Sequence, residues 1–305
     1  MKWKKLQHLF VPENNYGWMV THAANPFAVN IGDGIFRIYF TCRNQQNQSH
    51  IGFVEMDFNN NYKVLQVSPE PVLSPGERGL FDDSGVAMGT IVHVNDKQHL
   101  YYLGWNLKVT VPWLNSIGLA VYDPELNQFI KAFKAPVMDR SHEDPFSISY
   151  PSILLDNGTY RMWYGSNLSW GKYQNEMQHV IKYAESTDGI HWKRLNIIAV
   201  NLMHEGEYAL SKPLVIKEIN GDYSMWYSYR GNGSIATYRI GYATSNDGLK
   251  WIRRDNEVGI EVSEQGWDSE MICYPFIFDY KENRYMIYNG NEYGKTGFGL
   301  ALLEK

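Results

Sequence analysis

The stretch RMWYGSN at residues 161–167 recurs in kind as SMWYSYR at 224–230 and as YMIYNGN at 285–291. Each copy crowds aromatic and apolar side chains together and then gives way to polar groups, the pattern of a strand covered on both faces that ends at a surface. Two further stretches keep the beat, RIYFTCRN around Phe40 and LYYLGWN around Leu103. With Phe40, Leu103, Tyr164, Tyr227 and Tyr288 taken as equivalent, successive members lie 61 or 63 residues apart. A fixed period of that size along a whole chain marks a repeat architecture.

Working outward, each aromatic strand is preceded by an apolar run. Pro26, Pro151, Pro213 and Pro275 open four of these runs, and MGTIV at Met88 fills the remaining place. A third run follows each aromatic strand: SHIGFVEMD, NSIGLAVYD, HVIKYAEST, YRIGYATSN and TGFGLALLE. Turn signals such as DNG at 156–158 and NGD at 220–222 separate the runs. A fourth strand begins at Trp192 in STDGIHW and Trp251 in SNDGLKW, with Phe129 and Tyr62 as weaker versions. The DG pairs there read as turn signals and nothing more. The fifth unit lacks a fourth strand, and WKKL at Trp3–Leu6 matches WKRL at Trp192–Leu195. The reading is therefore all-β: a five-bladed β-propeller, a single domain over 1–305, with the N-terminal strand completing the last blade and removing an exposed edge. A β-sandwich would not require five units in phase. No stretch sustains a 3.6-residue period for three turns, so helix content is expected to be small.

Composition sets the outer bounds. Of 305 residues, 44% are hydrophobic and 15% aromatic, which suits a folded chain rich in strands rather than a disordered one. A net charge of -5 with no long basic run points away from nucleic acid. No window approaches the roughly 18 apolar residues of a membrane span, and MKWKKLQHLFVPEN has no apolar stretch of signal-peptide length, so a cytoplasmic protein with no membrane partner is expected. Cys42 and Cys273 then read as buried free thiols.

In an antiparallel unit the start of the first strand and the end of the second share one end of the sheet. Arg43, Asn44, Trp105, Asn106, Ser166, Asn167, Tyr229, Arg230, Asn289 and Asn291 fall at second-strand ends. His22, Asp82, Asp83, Glu143, Asp144, Glu205, Glu207, Asp268 and Glu270 fall ahead of first strands. A funnel rimmed by carboxylates, amides, Trp and Tyr suits a sugar, whose hydroxyls take both donors and acceptors and whose C–H faces stack on rings. Asp83 and Glu270 lie five residues ahead of Met88 and Pro275, where side chains lean inward, and Glu143 precedes DPFSISYP, where Arg140 could pair with it. Asp82 reads equally as a cap or a functional acid. Glu207, crowded by Glu205, is placed for a raised pKa. Arg43, Arg140, Lys212 and Arg230 near the same rim suggest an anionic ligand. Trp105 is either packing or a stacking platform, while Trp163 and Trp226 belong to the core.

Several motifs fail. NGNEYGKTG has three residues between Gly290 and Gly294 where a phosphate-binding loop needs four. HEGE at His204 has no second His four residues on, so neither metal nor cofactor is expected. Ser84 in FDDSGV lacks the preceding glycine of a nucleophile elbow.

The five-unit organisation, with SxDGxxW turns and acids ahead of the innermost strands, resembles the five-bladed propeller glycosidases of families 43, 32, 68 and 130. FDDSGV, YYLGWN, RMWYGS, MWYSYRG, GWDSEMICYP and YNGNEYGKTGFGLA are similar to a group of uncharacterised bacterial propeller proteins associated with surface-polysaccharide and glycan biosynthesis. The resemblance implies a glycoside hydrolase or phosphorylase acting on a small anionic sugar or sugar phosphate. Asp83, Glu143 and Glu270 would be catalytic. His22, Arg43, Trp105, Arg140, Glu207, Arg230 and Asn289 would bind substrate. It also implies an Asp at the first inner strand, where this chain has THAANPF, so Asn25 or His22 stands in its place. The alternative is a non-catalytic propeller that binds a glycan or a partner enzyme.

Overall fold

A computed structural model describes residues 1–13, 16–173 and 176–305. Strand β1 (Trp3–Phe10) stands apart from its neighbours in sequence. The next strands follow in fours: β2 (Thr21–Gly32), β3 (Ile35–Arg43), β4 (Ser49–Asp57) and β5 (Lys63–Val67), then β6 (Gly85–Val94), β7 (Lys97–Leu107), β8 (Trp113–Asp123) and β9 (Gln128–Lys131). The third set is β10 (Ile148–Asp156), β11 (Thr159–Ser169), β12 (Gln178–Ser186) and β13 (Lys193–Val200), and the fourth is β14 (Ala209–Lys217), β15 (Tyr223–Arg230), β16 (Arg239–Ser245) and β17 (Ile252–Arg253). The last is β18 (Cys273–Tyr280), β19 (Asn283–Asn289) and β20 (Phe298–Leu303), against which β1 pairs antiparallel. Within each run the strands pair antiparallel in sequence order, and single parallel bridges, Ser49 to Gly85 and His179 to Ala209, link the first run to the second and the third to the fourth. Helix among the described residues is confined to a four-residue turn, α1 (Asn291–Gly294), and short 3-10 turns.

Burial explains the sequence pattern. The first strands touch in cyclic order, β2 to β6, β6 to β10, β10 to β14, β14 to β18 and β18 back to β2. They and the second strands are covered on both faces, so Met162, Trp163 and Tyr164 are all buried although they alternate sides. Outer strands lose that cover, and KVLQV in β5 is almost wholly exposed. The aromatic pairs fill the gaps between runs, with Trp163 against Trp251 and Tyr39 against Phe129.

Hydrogen-bond register corrects one equivalence. Phe40, Tyr164, Tyr227 and Tyr288 face Gly52, Lys182, Gly241 and Gly299, and the residue facing the matching Gly118 is Tyr102, not Leu103. The turns in STDG and SNDG also do more than reverse the chain. Ser186 Oγ accepts from the Gly189 N–H and Ser245 Oγ from the Gly248 N–H, while the carbonyls of those glycines accept from Tyr101 and Trp163 of the preceding run. Cys42 and Cys273 are buried and unpaired, and burial pushes both thiols up.

Candidate functional site

The acids ahead of the first strands divide into two sets. Asp82, Asp144 and Asp268, all buried, accept hydrogen bonds from Tyr102, Tyr164 and Tyr288, each 20 residues on, at 3.0, 2.7 and 2.9 Å. Each also meets a cation from an outer strand: Lys131 at 2.6 Å, Arg194 at 3.2 Å and Lys5 at 2.7 Å. The fourth run varies the scheme, since Tyr227 donates to Asp255 at 2.5 Å and Arg253 bridges Asp255 and Glu207. These are internal fastenings in which the charges of each set neutralise one another. Glu207 belongs here: both its oxygens accept from Arg253 at 2.8 Å, and one also accepts from the Met203 N–H. The geometry thus makes it a structural anion rather than a substrate ligand.

Asp83, Glu143 and Glu270 form the second set, at the same end of β6, β10 and β18. Asp83 is half-buried and accepts from the Gly79 N–H at 2.9 Å and the Ser84 hydroxyl at 3.0 Å. Glu143 is exposed, and the Ser141 hydroxyl at 2.7 Å, with its own backbone N–H, holds its carboxyl below the usual range. Its partner is thus Ser141 and not Arg140, which is exposed. Glu270 is exposed, with its backbone N–H donating to Asn291 Oδ1 at 2.8 Å.

Of the expected ligands, Asn289 is fully buried: its Oδ1 accepts from the Asn25 N–H, and both Nδ2 hydrogens are used, on the Ala23 and Gly297 carbonyls. It fastens the last run to the first and is closed off from a sugar by burial. Trp105 Nε1 donates to Ser49 Oγ at 2.8 Å, which joins the first two runs. His22, Arg43 and Arg230 do converge, and they do so around groups that the strand pattern alone did not single out.

Each first strand carries a bulge at one position. Pairing skips at Ala24/Phe27, Ala87/Thr90, Ser149/Ser152, Ser211/Leu214 and Cys273/Phe276. The skipped pairs are Asn25-Pro26, Met88-Gly89, Tyr150-Pro151, Lys212-Pro213 and Tyr274-Pro275, spaced 62 or 63 residues apart. Proline has no N–H to offer a ladder, so a bulge is where it fits in an inner strand. Asn25, Tyr150, Lys212 and Tyr274 hold left-handed backbone there, with φ of 54°, 38°, 50° and 54°. Four side chains from remote parts of the chain are turned out of the regular alternation in this way, at a cost that the surrounding packing must offset.

Their contacts cross the ring of first strands. Tyr150 and Tyr274 bring their rings to 5.9 Å, and the Asn25 amide and the Arg43 charge both act on the Tyr150 hydroxyl. Lys212, 2% exposed, donates to the Gly89 carbonyl at 3.0 Å, and burial pulls its pKa down to about 7. No carboxylate is among its partners in the described residues. Burial pushes Tyr150 up to about 12. His22 is brought down to about 4 by burial and then by the charges of Arg43 and Lys295. Arg230 lies over the rings of Tyr208, Tyr238 and Tyr293 at 5.4, 4.7 and 5.6 Å. The result is a largely buried cluster of tyrosines and cations on and around the bulges of the first strands, with Asp83, Glu143 and Glu270 ahead of β6, β10 and β18. Among the described residues, no group of three or more His, Cys, Asp and Glu side chains is placed to hold a metal. No described helix is long and apolar enough to cross a membrane.

No protein-family model matches the chain. The uncharacterized protein Rv1502 of Mycobacterium tuberculosis is 47% identical over 304 residues, covering 100% of both chains. A 1,2-β-oligomannan phosphorylase of Thermoanaerobacter sp. is 31% identical over 126 residues, 39% of this chain and 40% of its own. Among solved structures, one from the GH130 family of mannoside phosphorylases and β-1,2-mannoside hydrolases superposes with a TM-score of 0.66 at 14% identity, covering 99% of this chain and 93% of its own. Identity that low speaks for the fold alone, and the fold is that of the propeller glycosidases. The chain belongs to the same family as the mycobacterial protein Rv1502.

Proposed function

We propose that the five four-stranded runs are the blades of one propeller domain over residues 1–305, and that this domain is a carbohydrate-active enzyme. It would cleave or transfer a glycosidic bond of a small anionic sugar or sugar phosphate held in a cup that the cluster of tyrosines and cations would form. The observation that carries the reading is Lys212, an ammonium-bearing side chain 2% exposed, beside Tyr150 and Tyr274 on the ring of bulges and without a carboxylate partner among the described residues. A buried cation in that setting gains most from an anion supplied from outside. Arg43 and Arg230 add to the same field.

The chemistry that fits is phosphorolysis. An oxygen of inorganic phosphate attacks the anomeric carbon, the glycosidic C–O bond breaks, and a rim carboxylic acid gives its proton to the departing oxygen, leaving a sugar 1-phosphate and a shortened sugar. Attack by an anion needs no carboxylate base, which accords with Asn25 and His22 standing where a hydrolase would have its first Asp. The partial likeness to an oligomannan phosphorylase supports the same reaction class. Glu143, held below the usual carboxylate range, is poorly suited to give up a proton at the leaving oxygen. Glu270, exposed and set in place by the bond from its backbone N–H to Asn291 Oδ1, is the residue assigned that role.

Incubation with inorganic phosphate and β-1,2-mannooligosaccharides or uronic-acid disaccharides, read by mass spectrometry, tests the reaction. A phosphate-dependent sugar phosphate is expected, and Glu270→Gln should lower turnover by about 10²-fold or more with the melting temperature unchanged. Full turnover by that variant would remove Glu270 from the mechanism. The absence of carboxylates from the ring itself also favours a second reading, a non-catalytic glycan binder, which would give ligand-dependent thermal shifts and no product.

A further inference from the structure

The segment Gly290–Gly297 joins β19 to β20 and contains α1. Glu292 and Tyr293 hold φ/ψ of 53°/43° and 59°/30°, and Gly294 follows at φ 95°. Three consecutive left-handed residues, two of them with side chains, persist only where the surroundings fix them. The base of the segment is firmly held: Asn291 Oδ1 accepts from the Glu270 and Met271 N–H groups, and the Trp267 carbonyl accepts from the Asn291 N–H and the Thr296 hydroxyl. Its tip reaches two other runs. The Arg230 guanidinium donates to the Tyr293 hydroxyl at 2.5 Å, and the Tyr293 ring meets Tyr238 edge-on at 5.9 Å. Glu292 and Lys295, paired with each other at 2.6 Å, both act on His22.

One turn therefore engages Arg230, His22 and the backbone of Glu270. Tyr293 is 38% exposed while Arg230, beneath it, is 8% exposed. The hydroxyl thus occupies a guanidinium N–H that would otherwise face a ligand, and a carboxylate or phosphate oxygen would make a stronger, charge-assisted bond to the same donor.

Resting on the cup's being the ligand site, we propose that Arg230 is an anion subsite closed by a latch. The Tyr293 hydroxyl holds the guanidinium in the free protein, a carboxylate or phosphate group of the ligand takes its place, and the Glu292–Lys295 tip then swings away from the mouth.

Tyr293→Phe tests this with little disturbance, because the ring that lies over Arg230 and against Tyr238 stays. Hydrogen exchange of the full-length protein without ligand should show amides 292–296 exchanging several-fold faster in the variant and the rest of the chain unchanged; equal exchange there overturns the latch. Calorimetric titration with inorganic phosphate, and separately with glucuronate, should show the variant binding one of them roughly 5-fold more tightly than the wild type, since a competing acceptor has gone. The preferred anion tells phosphate from carboxylate. Equal or weaker binding by the variant, or no binding by either protein, overturns the subsite. A protein that behaves as expected in both assays and turns over no glycoside would sink the enzymatic reading and leave this one standing.

Discussion

Lys212 is the residue on which pH should act most plainly. Its ordinary value of 10.5 is brought to about 7 by burial. Between those values the unfolded chain keeps a proton that the folded chain has shed, so stability rises with pH from about 7 to 10.5, and the full penalty of burying the ammonium is present below 7. His22 and His179 act lower on the scale. Burial first, then Arg43 and Lys295 for His22 and Arg230 for His179, bring each from 6.5 to about 4, so their contribution is lost as pH falls from 6.5 towards 4. Lys212→Met should therefore stabilise the ligand-free protein at pH 7 by about 1–4 kcal/mol and flatten the rise above pH 7. It should also abolish stabilisation by phosphate, which in the wild type weakens as pH climbs past 7 and the ammonium is lost. Urea midpoints at pH 6, 7 and 9, with and without phosphate, measure all three. A destabilised variant would mean that the bond to the Gly89 carbonyl outweighs the desolvation of the charge. This residue was visible in the sequence as one basic group among four, and its place on the ring was not, because alternation along a strand says nothing about a bulge. The 62-residue spacing of the residues preceding Pro151, Pro213 and Pro275 held that information.

At the scale of the strand, the tyrosine–carboxylate–cation fastenings tie the starts of β6, β10 and β18 to the second strand beside each and to the outermost strand of the same run. They explain why the acids ahead of the first strands could not be sorted by type alone. Asp82 and Asp83 are neighbours, as are Glu143 and Asp144, yet in each pair one is an internal anion and the other faces the rim. The offset of 20 residues to Tyr102, Tyr164, Tyr227 and Tyr288 separates them, and the slip of one place at Leu103 hid it, since a one-residue shift in a strand points every side chain to the other face. Asp144 is the heaviest of these anchors. It accepts from Tyr164 at 2.7 Å and Ser166 at 2.6 Å and meets Lys182 at 3.1 Å and Arg194 at 3.2 Å. Asp144→Ala strands two cations and should cost about 3–5 kcal/mol. Asp83→Ala, which loses two turn contacts and strands no cation, should cost about 1 kcal/mol or less. Chemical denaturation of the two variants side by side decides the matter: similar losses would mean that the fastenings contribute little and that the division between internal and rim acids is mistaken.

At the scale of the molecule, the repeat and the return of the N-terminal strand to the last run were the most legible features, because both follow from counting apolar runs and finding one short at the end and one spare at the start. The latch was the least legible, since NGNEYGKTG carries no periodicity, and its conformation is set by contacts with residues from other runs. The closing strand yields the last prediction. β1 brings Trp3 and Leu9 into the core and supplies Lys5 to Asp268. It is also tied to the fourth run, through Trp3 N–H to the Gly259 carbonyl at 2.9 Å and the amino terminus to the Glu257 carbonyl at 2.8 Å. Removing residues 1–10 deletes two buried side chains worth about 1.5–3 kcal/mol each, leaves Asp268 without its cation and exposes the edge of β20. The melting temperature should fall by at least about 5 °C, with self-association growing as concentration rises. Supplying MKWKKLQHLF as a separate peptide should restore the melting temperature and suppress the self-association. The same peptide with Lys5→Glu should not, because it places a second anion beside Asp268 where the fold needs a cation. Rescue by both peptides alike would show that β1 acts through backbone pairing and apolar cover alone, and a truncated protein as stable as the full chain would show that the ring does not depend on its closing strand.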